Sequence, residues 1–229
     1  MIVNPLAKSV MVALSALLLS TGIGQAQISV TGIEGVWTDV QGGSNVNGVG
    51  TNEIRWGIPD ESQQSGYVFT PAPVVFPVQA DVPFDLGVFT HNNFPIRSAG
   101  ITQATLETDF TFLIDGQEVS ASMSYTFLHD ETPNTSYFCC DDIVTAVNNN
   151  VFSDTFLIGN TEYQVNIKGF RVDGELFTEF ETRERKSNSA TLVAEINVAE
   201  VPIPEPSTYL LLSSMLVFAF FLRRRALAK

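Results

Sequence analysis

The chain has 229 residues, 45% of them hydrophobic, with 12 Lys and Arg against 25 Asp and Glu, giving a net charge of −13. That length holds one folded domain plus processing segments. So acidic a surface repels phosphate backbones and anionic lipid, which argues against nucleic acid as a partner.

The N-terminus reads as a secretory signal peptide. Lys8 supplies a positive start, Val10 to Leu19 is an apolar run broken only by Ser15, and Gly24-Gln25-Ala26 offers small residues at cleavage spacing. The run is short for a span of about 20 residues, so signal peptidase is expected to cut after Ala26, leaving a body over residues 27–200. Without Lys8, Arg223, Arg224, Arg225 and Lys229, seven basic residues face 25 acidic ones, a balance of −18.

Within the body no long helical period appears. Gly42-Gly43 through Gly50 reads as a mobile loop, and Glu53 to Gly57 and Tyr67 to Thr70 as short strands. Pro71, Pro73 and Pro77 make the region near Phe76 edge-like or irregular, since proline cannot donate to a ladder. His91, Asn92 and Asn93 form a polar cluster in an extended segment before Pro95. They suit a ligand, or else a strand-end histidine bonded to a backbone carbonyl with asparagines shaping the turn.

The strongest pattern follows. Ala104, Leu106, Phe110, Phe112 and Ile114 are apolar at even positions; Val119, Ala121, Met123, Tyr125 and Phe127 are apolar at odd ones. Period two of this length predicts half-buried strands. Asp115-Gly116 between them suits a two-residue primed turn. That turn pairs Phe112 with Val119, Phe110 with Ala121, Leu106 with Tyr125 and Glu107 with Ser124. Strand pattern and turn chemistry therefore give one register.

His129-Asp130-Glu131 brings imidazole next to carboxylates, but a zinc site needs three or four ligands at short spacing, and the sequence has no such set. Asp141 and Asp142 with backbone carbonyls suit calcium better, although no EF-hand-like loop is present. No other cofactor is indicated. Cys139 and Cys140 are the only cysteines and are adjacent, so they cannot staple distant segments. A vicinal ring, a bridge to another chain or a buried reduced pair all remain open.

Gly159-Asn160 predicts a second hairpin with Phe156 opposite Tyr163. Asp173-Gly174 predicts a third, with Phe170 opposite Phe177. The apolar parity switches between Ile167 and Phe170, which places a bulge at Gly169. Arg183 to Lys186 with Ser187-Asn188-Ser189 reads as a charged strand end and loop. Leu192, Ala194, Ile196 and Val198 form a late strand. Many short antiparallel strands with a phenylalanine-rich core predict an all-β, jelly-roll-like antiparallel sandwich in one domain.

No nucleophile elbow or phosphate-binding glycine loop appears, and nothing singles out a glycosidase pair among the 25 acids. The expectation is a protein without catalysis. Trp37 and Trp56 are the only tryptophans for sugar stacking, and Trp56 is expected in the core.

The last segment, residues 201–229, has its own logic. Tyr209 to Leu222 would rise about 21 Å as a helix, short of a ~30 Å hydrocarbon core. Arg223, Arg224 and Arg225 would stop it on the cytoplasmic side. Pro202, Pro204 and Pro206 keep the preceding stretch extended. Pro204-Glu205-Pro206-Ser207-Thr208, the short span and the arginine cluster together resemble the PEP-CTERM sorting signal of Gram-negative bacteria. The resemblance implies recognition by an exosortase-type membrane enzyme, removal of the tail, and delivery to the cell surface or extracellular matrix.

The body also resembles the choice-of-anchor K family. That likeness rests on Trp56-Gly57-Ile58-Pro59, on Leu86-Gly87-Val88-Phe89-Thr90-His91-Asn92-Asn93-Phe94-Pro95-Ile96, and on Glu131-Thr132-Pro133-Asn134. It implies an exported sandwich domain and no particular activity. The expected role is a structural or adhesive component of a biofilm. A carbohydrate-binding module of the exopolysaccharide matrix is the alternative, and a hydrolase on the same scaffold the third reading.

Overall fold

The computed structural model describes residues 27–73, 75–132, 141–147 and 155–201. The signal-peptide run, the two cysteines and the sorting tail lie outside the described residues.

Among the described residues the structure is all strand, in two antiparallel sheets. The first sheet contains β1 (Ile28–Gly42), β4 (Phe76–Val78), β6 (Ile101–Ile114), β7 (Gln117–Asp130), β8 (Asp142–Val147) and β12 (Glu179–Thr182). Its order is β12-β8-β7-β6-β1-β4. The second contains β2 (Glu53–Trp56), β3 (Ser65–Pro71), β5 (Phe84–Asn93), β9 (Thr155–Ile158), β10 (Thr161–Val172), β11 (Glu175–Phe177) and β13 (Lys186–Glu200). Its order is β11-β10-β13-β5-β3-β2, with β9 also paired to β10. No helix among the described residues is long and apolar enough to cross a membrane.

The β6–β7 hairpin has the register that its turn and alternation predict, from Gln103 opposite Leu128 to Ile114 opposite Gln117. Asp115 and Gly116 both have positive φ, 50° and 83°, the signature of a type I′ turn whose twist matches the strands it joins. Phe156 pairs with Tyr163 and Phe170 with Phe177, as the other two turns require. The β10–β13 ladder shifts register between Ile167 and Gly169, which is the predicted bulge. The proline-flanked Phe76 lies in β4, an edge strand.

Three segments differ from expectation. Residues 42–50 are pinned rather than free. Gly50 N–H donates to Trp37 O at 2.7 Å, Gly57 N–H to Ser44 O at 2.7 Å, and Asn47 and Arg55 exchange two backbone bonds. Lys186 to Ser189 form the start of β13 and pair with β5, so the loop is confined to the residues before them. Strand β1 escaped the alternation test because its pairing to β6 shifts three times, breaking the period of two.

The sheets close face to face over a shared aromatic core. Phe89 of the second sheet stacks on Phe127 of the first at 5.5 Å, and Trp37 meets both edge-on. All three are fully buried, and each such side chain contributes roughly 2–3 kcal/mol by leaving water. Contact is tight enough to require glycine opposite Phe69, since a Cβ at Gly35 would lie 2.5 Å from that ring.

Candidate functional site

Inward-facing stripes on three strands start as apolar and end as polar. In β7 the sequence Tyr125, Phe127, His129 continues to Glu131 just past the strand. In β5 Phe89 is followed by His91 and Asn93; in β12 Phe180 by Thr182, with Glu184 two residues on. Strand β8 runs the other way, from Asp142 to Val144 and Ala146. Because strand side chains alternate, keeping parity keeps these polar groups between the sheets. His91, Asn93, His129, Asp142 and Thr182 are all buried, and Asn92 is nearly so.

The polar groups converge at one end of the core. One ligating atom each from His91, His129 and Asp142 lies within 4.8 Å of the others, and Glu131, Asp142 and Glu184 form an overlapping trio by the same measure. His91 Nδ1 is 2.8 Å from Thr182 Oγ1, whose hydroxyl donates to Asp142 O at 3.1 Å. The threonine's single proton is thus committed, so its oxygen accepts from His91 Nδ1–H. That tautomer leaves a lone pair on Nε2, which has no hydrogen-bond partner. His129 Nδ1 shares a 2.6 Å bond with the Tyr67 hydroxyl, while Nε2 faces Glu131 Oε2 at 3.2 Å and Asp142 Oδ2 at 4.0 Å.

Asp142 is held from one side only. Thr132 donates both N–H and Oγ1–H to Oδ1, at 2.9 and 3.1 Å. Oδ2 is buried without a partner, as are Glu131 Oε1 and both carboxylate oxygens of Glu184. Aromatic rings wall the cluster. Trp56 stacks on His91 at 5.7 Å, Tyr67 meets His91 edge-on at 5.0 Å, and the two imidazoles meet edge to face at 5.1 Å.

Burial and like charge set the electrostatics. Burial, and then the neighbouring Glu131, pushes the Asp142 carboxyl up to about 8 against the opposing bonds from Thr132. Burial and Glu131 likewise raise Glu184, partly offset by Arg185. Burial, followed by His129, holds the His91 imidazole well below its ordinary value. Burial and the carboxylates of Asp142 and Glu131 keep the Tyr67 hydroxyl protonated far above the usual tyrosine range. Each shift has one origin, a set of ionisable groups in an apolar chamber.

The structure redistributes the residues that the sequence suggested. His91 lies near the end of strand β5, in the extended segment expected, but its ring bonds a side chain, not a backbone carbonyl. Asn93 Nδ2 donates to Thr182 O at 2.9 Å, and Asn92 Oδ1 accepts from Ser187 Oγ at 2.6 Å, so both asparagines tie strands together. Asp141 and Asp142 do not converge. Asp142 points into the chamber, whereas Asp141 is exposed and lines a surface groove with Phe177 and Arg183. His129 and Glu131 do come together, joined by Asp142 from nearby in sequence and by His91 and Glu184 from far away in it. Tyr67, Thr182 and Glu184 were missed, although extending the odd-parity stripe past Phe127 reaches His129 and Glu131 directly.

The last described residue, Val201, donates its N–H to Asn160 O at 2.8 Å. Immediately beyond it, residues 202–225 match the family model of the PEP-CTERM protein-sorting motif. No curated protein matches the chain. A compact β body followed directly by that signal makes this chain an exported protein, processed at the membrane by an exosortase-type enzyme.

Proposed function

We propose that the β body is delivered to the cell surface or extracellular matrix and acts there as a structural or adhesive component without catalysis. The observation that carries this reading is the sorting motif at residues 202–225, which directly abuts the body. Before sorting, signal peptidase removes residues 1–26, and the short apolar stretch with Arg223, Arg224 and Arg225 holds the C-terminus in the inner membrane. The likeness to choice-of-anchor K domains accords with this role.

Burial supports the absence of catalysis. The His91, His129 and Asp142 side chains are closed inside the sandwich, where a macromolecular substrate does not reach them. Trp37 and Trp56, which a sugar platform would need, are also fully buried. That placement favours a structural role over carbohydrate binding to exopolysaccharide.

Replacing Pro204, Glu205 and Pro206 together by alanine tests the sorting step. The expected result is a full-length form retained in the membrane fraction, seen by immunoblot against the body. Normal release of the variant at the processed size would refute the reading.

A further inference from the structure

We propose that His91, His129, Asp142 and Glu131 bind one divalent transition-metal ion, with zinc as the reference ion, and that this ion staples the two sheets together.

The donor set is the first argument. Two imidazole nitrogens and two carboxylates suit zinc and its first-row neighbours, whereas calcium takes an all-oxygen shell. Four protein ligands would make a closed structural site. Glu184 stands beside Asp142 and Glu131 and supplies a further carboxylate at the rim.

The second argument is the direction of the unpaired atoms. His91 Nε2, Asp142 Oδ2 and Glu131 Oε1 are buried and without hydrogen-bond partners. Buried polar atoms in native proteins are almost always paired, so three orphans on residues of the two overlapping trios indicate a shared partner. The tautomer of His91 fixed by Thr182 presents a lone pair there, not a proton. A bound cation satisfies the nitrogen lone pair and the carboxylate oxygens together and offsets their charge.

Support behind the ligands is the third argument. Metal-bound histidines and carboxylates are oriented by bonds through their other polar atom. Here His91 Nδ1 is held by Thr182, His129 Nδ1 by Tyr67, and Asp142 Oδ1 twice by Thr132. Ligand atoms about a tetrahedral zinc with ~2.1 Å bonds stand roughly 3.4 Å apart. Within each of the two overlapping trios the donor atoms lie within 4.8 Å of one another, so ion binding draws them together by up to about 1.4 Å. His91 comes from the second sheet and the other three from the first, so one ion ties both layers.

The experiment uses the processed protein, purified without chelators. Elemental analysis is expected to find about one zinc or similar ion per chain. Stripping with a strong chelator should lower Tm, and Zn²⁺ alone, not Ca²⁺, should restore it. Co²⁺ in place of zinc should give visible d–d bands without a thiolate charge-transfer band. Asp142→Asn keeps the bonds from Thr132 but loses the charge, and His91→Gln loses the nitrogen ligand. Each should weaken Zn²⁺ affinity at least about 100-fold. Replacing Cys139 and Cys140 by serine should leave that affinity unchanged. If a ligand variant fails to fold, wild-type titration and the cobalt spectrum still decide. No stoichiometric binding of Zn²⁺ or Co²⁺ by wild type, recovery by Ca²⁺ alone, or loss of binding in the cysteine variant overturns the proposal.

Discussion

Thr182 shows how much one hydroxyl decides in this protein. It accepts from His91, donates to the backbone of Asp142, and through its own carbonyl holds Asn93. Thr182→Val preserves shape and the carbonyl but frees the His91 ring to take the other tautomer. Because the residue orients a ligand without being one, Zn²⁺ affinity should fall about 10- to 100-fold while the β-sheet circular dichroism stays unchanged. Unaltered affinity in a competition titration with a chromophoric chelator would show that His91 is oriented by its aromatic neighbours instead. None of this was legible residue by residue. Threonine at 182 is an ordinary strand residue until the fold places it across from Asp142.

At the scale of elements, the β6–β7 hairpin is where local and global information agree. Twelve paired positions follow from one turn dipeptide and one parity rule. The turn needs positive φ at both residues, which glycine tolerates and alanine does not. Gly116→Ala should therefore destabilise the body by about 1 kcal/mol, lowering Tm by roughly 3 °C in a thermal melt followed by circular dichroism. No fall in Tm would mean that strand pairing, not the turn, sets this hairpin. Strands β8 and β12 were not legible in this way. Each is short, with two or three inward positions, one of them polar, so alternation carries little signal. Strand β8 pairs on the open edge of β7, and β12 on the edge that β8 then presents. Strand β1 was hidden for another reason, since its bulges shift the parity that makes a strand recognisable.

At the scale of the molecule, fold and address are separable. Among the described residues, every buried member of the shared core lies between Ile28 and Ile196, and the matched sorting motif begins at residue 202. A chain ending at Val201 should therefore melt at the same temperature as the processed protein and lack only its sorting. A lower Tm for the shortened chain in differential scanning calorimetry would show that the tail packs on the body. Among the described acidic residues only Asp142 is fully buried, so the acidic balance of the body lies almost wholly at its surface.

By itself the sequence determined what depends on near neighbours: the period-two strands, the turns that set register, the bulge at Gly169 and the sorting motif. Each is a property of a short stretch, governed by backbone sterics, hydropathy or a peptide signal. Only the tertiary structure decided that His91, His129, Glu131 and Asp142 share one chamber. They lie on β5, at the end of β7 and on β8, and only His129 and Glu131 are neighbours in sequence. Face-to-face closure of two sheets brings them within reach, and their burial without enough partners is what gives the chamber its chemistry.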